Sequence, residues 1–203
     1  MRRRIAAAFA AVALLSTACS SEPEPFAGFV RTPTPSVAEV SLPAVDPDHA
    51  GDFSFVADDG GLLVVYFGYT SCPDVCPTTL ADLSAALNRM EVDTSGVDVA
   101  MVTIDPAVDT DEVVTAYVQS FVPGSVAVRT DDDTALRAAA TAFGADYGTF
   151  ENDEGEVEVF HTGLLYLIDD RGDLLLSWPF GTTADAMASD LTRVIEGEEV
   201  TAA

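Results

Sequence analysis

Two cysteines separated by three residues are the most chemically suggestive feature of this 203-residue sequence. Cys72 and Cys76 stand in the segment Y-F-G-Y-T-S-C-P-D-V-C-P-T-T-L, residues 66–80. This spacing can bring two sulfurs to one side of a single turn, where they can bind one metal ion or form a disulfide. A permanent disulfide that closes so short a loop would stabilise the fold only modestly. We therefore expect a functional pair of thiols, with a structural disulfide as the alternative.

The chain contains two histidines that could complete a metal site. His49 lies among aspartate, proline and glycine residues, where we expect an exposed side chain. His161 follows the alternating apolar residues of 157–160, so we expect it at the end or bend of a strand. Two thiolates and one imidazole suit Cu(I) in trigonal geometry, whereas a structural zinc site would bring a fourth ligand. A histidine packed at a core or sheet edge, with no ligand role, is the alternative for His161.

The elements around the cysteines are predicted by their hydrophobic patterns. The continuous apolar run at 62–66 predicts a strand buried on both faces. Leucines at helical spacing predict a helix from about Pro77 to Met90. Pro77 suits the first helical position, which would place Cys76 at or near the N-cap. There, the positive end of the helix dipole would lower the pKa of the thiol.

Strands and helices alternate along the rest of the chain. We predict strands at 97–104, 126–129, 157–160, 164–168 and 174–177, and helices over about 113–121, 136–143 and 183–196. This alternation indicates an α/β fold with βαβ crossovers and a largely parallel sheet, to which the last two strands add an antiparallel edge. The cysteines then follow a buried strand and precede a helix, where ligand-binding groups gather in open α/β sheets.

The N-terminal region predicts export and membrane anchoring. Residues 1–18 combine an arginine-rich start, an apolar run and small residues, as in a secretory signal peptide. Cys19 follows directly, as in the bacterial lipobox, although Ser16 stands where that pattern prefers leucine. We expect a lipid on Cys19 and a domain held on the extracytoplasmic side of the cell membrane; ordinary secretory cleavage or an uncleaved anchor are the alternatives. Six prolines in 19–47 predict an extended tether, followed by one domain over 48–203.

Three motifs together resemble a known family. They are F-G-Y-T-S-C-P-D-V-C-P-T-T-L at 67–80, T-I-D-P-A-V-D-T at 103–110, and His161 shortly before L-L-Y-L-I-D at 164–169. In this order and spacing they resemble the Sco/SenC copper chaperones of cytochrome c oxidase assembly. The resemblance extends over about residues 50–196.

The resemblance implies a thioredoxin-like fold, in which a central mixed sheet is flanked by helices. It also implies a copper ion, Cu(I) or Cu(II), held by Cys72, Cys76 and His161. The implied role is delivery of copper to the dinuclear centre of cytochrome c oxidase subunit II or to another copper-site protein. A thiol:disulfide oxidoreductase that reduces the cysteines of that subunit, or of another exported protein, is the alternative, so enzymatic activity stays an open question.

Three aspartates are candidates for positions near the metal or on a partner-facing surface. Asp105 and Asp109 come from the D-P-A-V-D-T segment of the motif. Asp109 has an alternative role as the N-cap of the following helix, because an acidic residue stands three positions later. Asp74, between the cysteines, could tune the site or simply solvate the loop. The chain departs from the family pattern in a shortened first hairpin at 52–61 and in Thr162, which replaces the usual serine.

Composition excludes some classes of function. The chain carries 34 acidic residues against nine arginines and no lysine, a formal charge of −25. Such a surface excludes a non-specific nucleic-acid binder, which needs a surplus of positive charge. A peroxiredoxin-like peroxidase would place an arginine near its cysteine, and no arginine occurs between Arg31 and Arg89.

Overall fold

The computed structural model describes residues 24–151, 154–155 and 157–201. Within these ranges the chain forms nine strands and four helices. The strands are β1 (Ser41–Ala44), β2 (Gly51–Ser54), β3 (Leu62–Gly68), β4 (Val97–Thr103), β5 (Val126–Val128), β6 (Tyr147–Glu151), β7 (Val157–His161), β8 (Leu164–Ile168) and β9 (Leu174–Pro179). The helices are α1 (Val75–Arg89), α2 (Asp111–Phe121), α3 (Asp133–Phe143) and α4 (Ala184–Ile195). All predicted helices and strands are confirmed to within two or three residues at their ends.

Seven strands form one mixed sheet in the order β2-β1-β5-β4-β3-β8-β9. Strands β3, β4 and β5 are parallel, because α1 and α2 cross over between them. Antiparallel pairs extend the sheet on both sides, β8 with β9 on one and β1 with β2 on the other. The parallel part is therefore smaller than the alternation of elements predicted, since hairpins rather than crossovers connect the outer strands. Strands β6 and β7 form a separate two-stranded sheet.

The central strand β3 leads directly into the cysteine loop, and all seven of its residues are buried. Successive side chains of a strand point to opposite faces of the sheet. Tyr66 lies against Cys76 of α1. The neighbouring Phe67 faces α3, where its ring centroid lies 5.2 Å from that of Phe143. Helices α1 and α3 thus cover opposite faces of the sheet, and the cysteine loop belongs to the α1 face.

Helix α1 begins at Val75, two residues earlier than predicted. Pro77 is therefore the third helical residue, a position where its missing N–H still costs nothing, because the first-turn amides have no intrahelical acceptor. Cys76 lies inside the first turn rather than at the N-cap. The N-cap is Asp74, whose side chain makes no capping hydrogen bond. Cys76 is two residues from the N-cap and at the positive end of the helix, so its predicted place near the N-cap is confirmed.

The prediction of a solvated tether is wrong for residues 24–47, which pack on the domain. In β1, the buried residues Leu42 and Ala44 alternate with the exposed residues Ser41 and Pro43. The physical reason is that the extended backbone favoured by proline is also that of a strand, and apolar residues at alternate positions can reach a core.

A buried carboxylate fixes the start of this segment. Asp190 of α4 accepts hydrogen bonds from the amides of Ala27 and Gly28, at 3.1 and 2.9 Å, and from Nε1 of Trp178 at 2.8 Å. A Cβ atom on Gly28 would lie 2.9 Å from Trp178 Nε1, so this close approach requires glycine. The segment from Glu24 onward is therefore part of the folded domain.

The predicted signal peptide and Cys19 lie outside the described residues. Within the part of the chain that the structure describes, no helix is long and apolar enough to cross a bilayer.

Candidate metal centre

Cys72, Cys76 and His161 converge at one end of the central sheet. Cys72 lies in the loop after β3, Cys76 in the first turn of α1, and His161 is the last residue of β7. One ligand atom from each residue lies within 4.8 Å of the other two. The Sγ atom of Cys76 and Nε2 of His161 are 3.4 Å apart. The structure thus brings together the three residues that the sequence singled out as ligands.

The two cysteines have different surroundings. Cys76 is fully buried, whereas Cys72 keeps 8% of its surface exposed. The Cys76 amide donates a hydrogen bond to Cys72 Sγ at 3.3 Å, which ties the loop sulfur to the first turn of α1. Burial raises the pKa of the Cys76 thiol to about 12, the opposite of the lowering predicted from the helix dipole. Loss of water around Cys76 outweighs the partial charge of the helix end, and a bound cation would reverse that balance.

His161 is oriented as a metal ligand. Its Nδ1 lies 3.3 Å from the backbone oxygen of Thr162. A carbonyl oxygen can only accept, so Nδ1 carries the proton and donates it, and Nε2 presents its lone pair toward Cys76. Burial lowers the pKa of His161, which keeps the imidazole in the neutral form that binds metals. The rings of Tyr66 and Tyr69 contact the imidazole edge to face, with centroids 5.9 and 5.7 Å away.

The bend after His161 is fixed by a reciprocal pair of hydrogen bonds. The Thr162 amide donates to the backbone oxygen of Asp146 at 2.8 Å, and the Asp146 amide donates to the Thr162 hydroxyl at 2.9 Å. Serine would supply the same hydroxyl, so the departure from the family pattern at this position preserves the contact.

Asp109 holds the cysteine loop and does not cap α2. Its fully buried carboxylate accepts hydrogen bonds from the amide and hydroxyl of Thr70, the former at 3.0 Å, and from the hydroxyl of Thr103 at 2.6 Å. The N-cap of α2 is Thr110, whose hydroxyl accepts from the Val113 amide. The capping alternative for Asp109 is therefore wrong. Asp109 ties the residues just before Cys72 to the end of β4.

The other two aspartates lie outside the cluster of ligand atoms. Asp74 is exposed, and its carboxylate accepts a hydrogen bond from the Thr78 hydroxyl at 3.4 Å. Asp105 is half-buried; burial and the neighbouring Asp109 raise its pKa. Asp74 borders the groove described next, so a contact with a partner remains a prediction for it.

An open groove borders two of the three candidate ligands, Cys72 and His161, and we call it the ligand groove. Its volume is about 570 Å³. It is lined by Tyr69, Cys72, Pro73, Asp74, Val75, Val159, Phe160, His161, Gly163, Pro179 and Phe180. Phe160 and Phe180 are 43% and 46% exposed, which is unusual for phenylalanine. Cys72 and His161 are therefore accessible from a largely apolar surface, whereas Cys76 lies beneath it.

Sequence reasoning missed Tyr66, Tyr69 and Gly68. A Cβ atom on Gly68 would lie 2.6 Å from Cε1 of Tyr66 and 3.1 Å from Sγ of Cys76, so only glycine lets these two side chains approach. The signal for Gly68 was its place at the end of a buried strand. No pattern separates Tyr66 from the other residues of β3, because both faces of that strand are buried.

Comparison with known proteins decides the family. The family model for SCO1/SenC matches residues 48–196. The chain belongs to the SCO1/SenC family. The solution structure of apo Sco1 from Thermus thermophilus is 29% identical, with a TM-score of 0.70 over 83% of this chain and 96% of that one. The structure of Bradyrhizobium japonicum ScoI with copper bound is 27% identical, with a TM-score of 0.62 over 76% and 96%. These likenesses confirm the thioredoxin-like fold.

Among curated SCO proteins, the mitochondrial SCO1 homolog 1 of Arabidopsis thaliana is 27% identical over 157 residues, or 71% of this chain and 46% of that protein. The SCO2-like protein RP587 of Rickettsia prowazekii is 30% identical over 115 residues, or 56% of each chain. The chain thus spans about half the length of these two curated relatives.

Proposed function

We propose that this chain is a membrane-tethered, extracytoplasmic metallochaperone that delivers copper to the dinuclear copper centre of cytochrome c oxidase subunit II. The observation that carries the proposal is the convergence of two sulfurs and one imidazole nitrogen within 4.8 Å in an SCO1/SenC protein. Soft thiolates with one neutral imidazole suit Cu(I). The related ScoI of Bradyrhizobium japonicum was solved with copper bound.

Copper is the cargo in this proposal, and the ligand groove is its exit. Cys76 is fully buried, whereas Cys72 and His161 line the groove. A thiolate or imidazole of the acceptor protein enters there and takes a place in the copper coordination. The chaperone ligands then leave one after another, so transfer proceeds by ligand exchange and needs no change in oxidation state.

Location rests on the N-terminal sequence. The arginine-rich, apolar leader before Cys19 supports export and lipidation. Mass spectrometry of the mature protein from membranes tests this directly. A diacylated Cys19 as the first residue is the expected result, and a first residue elsewhere with no lipid would contradict it.

Copper titration of the full-length chain under reducing conditions tests the site. Wild type is expected to bind one copper ion per chain. Cys72→Ala, Cys76→Ala and His161→Ala are expected to lose tight binding. His49→Ala is the matched control, because the imidazole of His49 is 42% exposed, pairs with Asp46 and lies outside the cluster. Absence of copper in wild type, or full affinity in His161→Ala, would overturn the assignment.

Delivery is tested by mixing the copper-loaded chain with the copper-free soluble domain of oxidase subunit II. Growth of the absorption bands of the dinuclear centre is the expected result. Copper that stays with the chaperone at equilibrium would contradict delivery while leaving the binding site intact.

A thiol:disulfide oxidoreductase is the second candidate, favoured by the unequal exposure of two adjacent free thiols. The Cys72 thiolate would attack a partner disulfide and form a mixed disulfide. Cys76 would then attack Cys72, which releases the partner as a dithiol and leaves a Cys72–Cys76 disulfide. In this case His161→Ala would keep the rate of partner reduction, whereas a copper chaperone would lose its cargo.

A further inference from the structure

A buried hydroxyl beside the candidate metal site has no partner. Tyr66 is fully buried, and its hydroxyl makes no hydrogen bond to any described residue. The side chains close enough to interact with it electrostatically are those of Cys76, Thr79 and Cys72. The Thr79 hydroxyl donates its proton to the backbone oxygen of Val75 at 2.7 Å, so it could only accept from Tyr66, and no such bond forms. A buried hydroxyl without a partner costs stability, and such a group calls for an explanation.

The Tyr66 ring is held against two of the three candidate ligands. It meets the imidazole of His161 nearly at right angles, at 80°. A Cβ atom at Gly68 would lie 2.6 Å from Cε1 of Tyr66 and 3.1 Å from Sγ of Cys76, so the ring and the sulfur both pack against this glycine. Tyr66 is therefore placed to act on Cys76 and His161 from the buried side of the site.

We propose that the Tyr66 hydroxyl donates a hydrogen bond to the Cys76 sulfur when that sulfur is a copper-bound thiolate, and that this bond favours Cu(I) over Cu(II). The inference rests on the proposed copper function. A thiolate is a charged acceptor and binds a donor more strongly than a neutral thiol does. The hydrogen bond withdraws electron density from sulfur and weakens its donation to Cu(II) most, as hydrogen bonds around a cysteine ligand do at copper sites. Tyr66 is thus a positioning residue that tunes a ligand.

The test is Tyr66→Phe in the full-length chain, which removes one oxygen and keeps the ring. The sulfur-to-Cu(II) charge-transfer absorption is expected to move to lower energy. The ratio of Cu(II) affinity to Cu(I) affinity, from competition titrations in each oxidation state, is expected to rise about tenfold. The copper-free variant should be at least as stable as wild type, because it loses an unpartnered hydroxyl.

Tyr166→Phe is the matched control. Tyr166 lies on the neighbouring strand β8, is fully buried, and also has an unpartnered hydroxyl, but it packs near Arg31 and away from the ligand cluster. Its spectrum and affinity ratio should equal those of wild type. Normal copper binding by Tyr66→Phe with an unchanged spectrum and ratio, or equal shifts in both variants, would overturn the role of Tyr66. Failure of wild type to bind copper would instead overturn the proposed function, and the inference with it.

Discussion

The candidate ligands differ in whether they must lose a proton before they can bind a metal ion. The pKa of Cys76 is raised to about 12 by burial, so its thiol is protonated at neutral pH. His161 has a lowered pKa and is already neutral there. Metal binding needs the thiolate and the neutral imidazole, so the proton is lost from sulfur and not from nitrogen.

We therefore predict that Cu(I) binding at pH 7 releases at least one proton from the cysteines and none from His161. Apparent affinity should rise with pH through the neutral range, about tenfold per unit for each proton released. Calorimetry in two buffers of different ionisation enthalpy measures the number of protons. His49→Ala keeps all three ligands and should release the same number as wild type. Release of more protons than the two thiols carry would mean that the imidazole is protonated before binding.

Asp109 acts on the site through hydrogen bonds rather than through the metal. Asp109→Ala would leave three donors of Thr70 and Thr103 without their acceptor, and we predict a loss of about 3 kcal/mol in the free energy of unfolding. Urea denaturation of the copper-free protein measures this loss. Asp111→Ala is the control, because Asp111 is exposed and makes only a 3.4 Å ion pair with Arg129, so its loss should stay below about 1 kcal/mol. Equal losses in both variants would contradict the structural role of Asp109.

At the scale of elements, amphipathic helices and buried strands were predictable from sequence, and short edge strands were not. Helix α4 has apolar residues at helical spacing, and strand β3 is a continuous apolar run of strand length. These patterns indicate the type of each element and its approximate ends. Strand β1 contains Pro43 and only four residues, so composition indicated a solvated chain. Strand β6 has one buried residue, Tyr147, and therefore no alternation to detect.

The cysteines have a local signal in their spacing, and His161 was assigned as a ligand through the family resemblance. The groups that support the site depend on contacts across the fold. Asp109 and Thr70 are 39 positions apart, and nothing in either segment alone indicates that they meet. The pKa of Cys76 was predicted with the wrong sign for the same reason. The helix start could be seen in the sequence, but the depth of burial is set by elements packed around it.

The N-terminal segment is an element of the domain, and its anchor is Asp190. We predict that Asp190→Ala releases residues 24–30, because two backbone amides and the Trp178 indole lose a buried acceptor. Hydrogen exchange followed by mass spectrometry should show faster exchange in this segment, and stability should fall by about 2 to 3 kcal/mol.

Asp185→Ala is the control for that experiment. Asp185 lies on the same helix, but its side chain is 84% exposed and makes only a surface ion pair with Arg89. Exchange in residues 24–30 should not change in this variant. Unchanged exchange in Asp190→Ala as well would show that the segment is held by its other contacts.

At the scale of the whole molecule, repulsion among the many acidic side chains destabilises the folded state. The formal charge of −25 concentrates like charges on a small surface, and their repulsion is relieved by salt. We predict that the midpoint of thermal unfolding rises by several degrees between about 10 mM and 500 mM sodium chloride. A variant with Glu39→Gln, Asp59→Asn and Glu91→Gln, all at exposed positions, should respond less to salt. A midpoint that falls with salt would show that ion pairs dominate instead.

The ligands are distributed over two separate sheets. The cysteines follow a strand of the seven-stranded sheet, whereas His161 ends a strand of the two-stranded one. Cys76 and His161 are also 85 positions apart in the chain. A metal ion bound by all three is therefore a removable cross-link between two parts of the backbone. Metal binding would link the hairpin of β6 and β7 to the seven-stranded sheet. An acceptor protein that removes the metal must therefore also offset the free energy by which this link stabilises the fold.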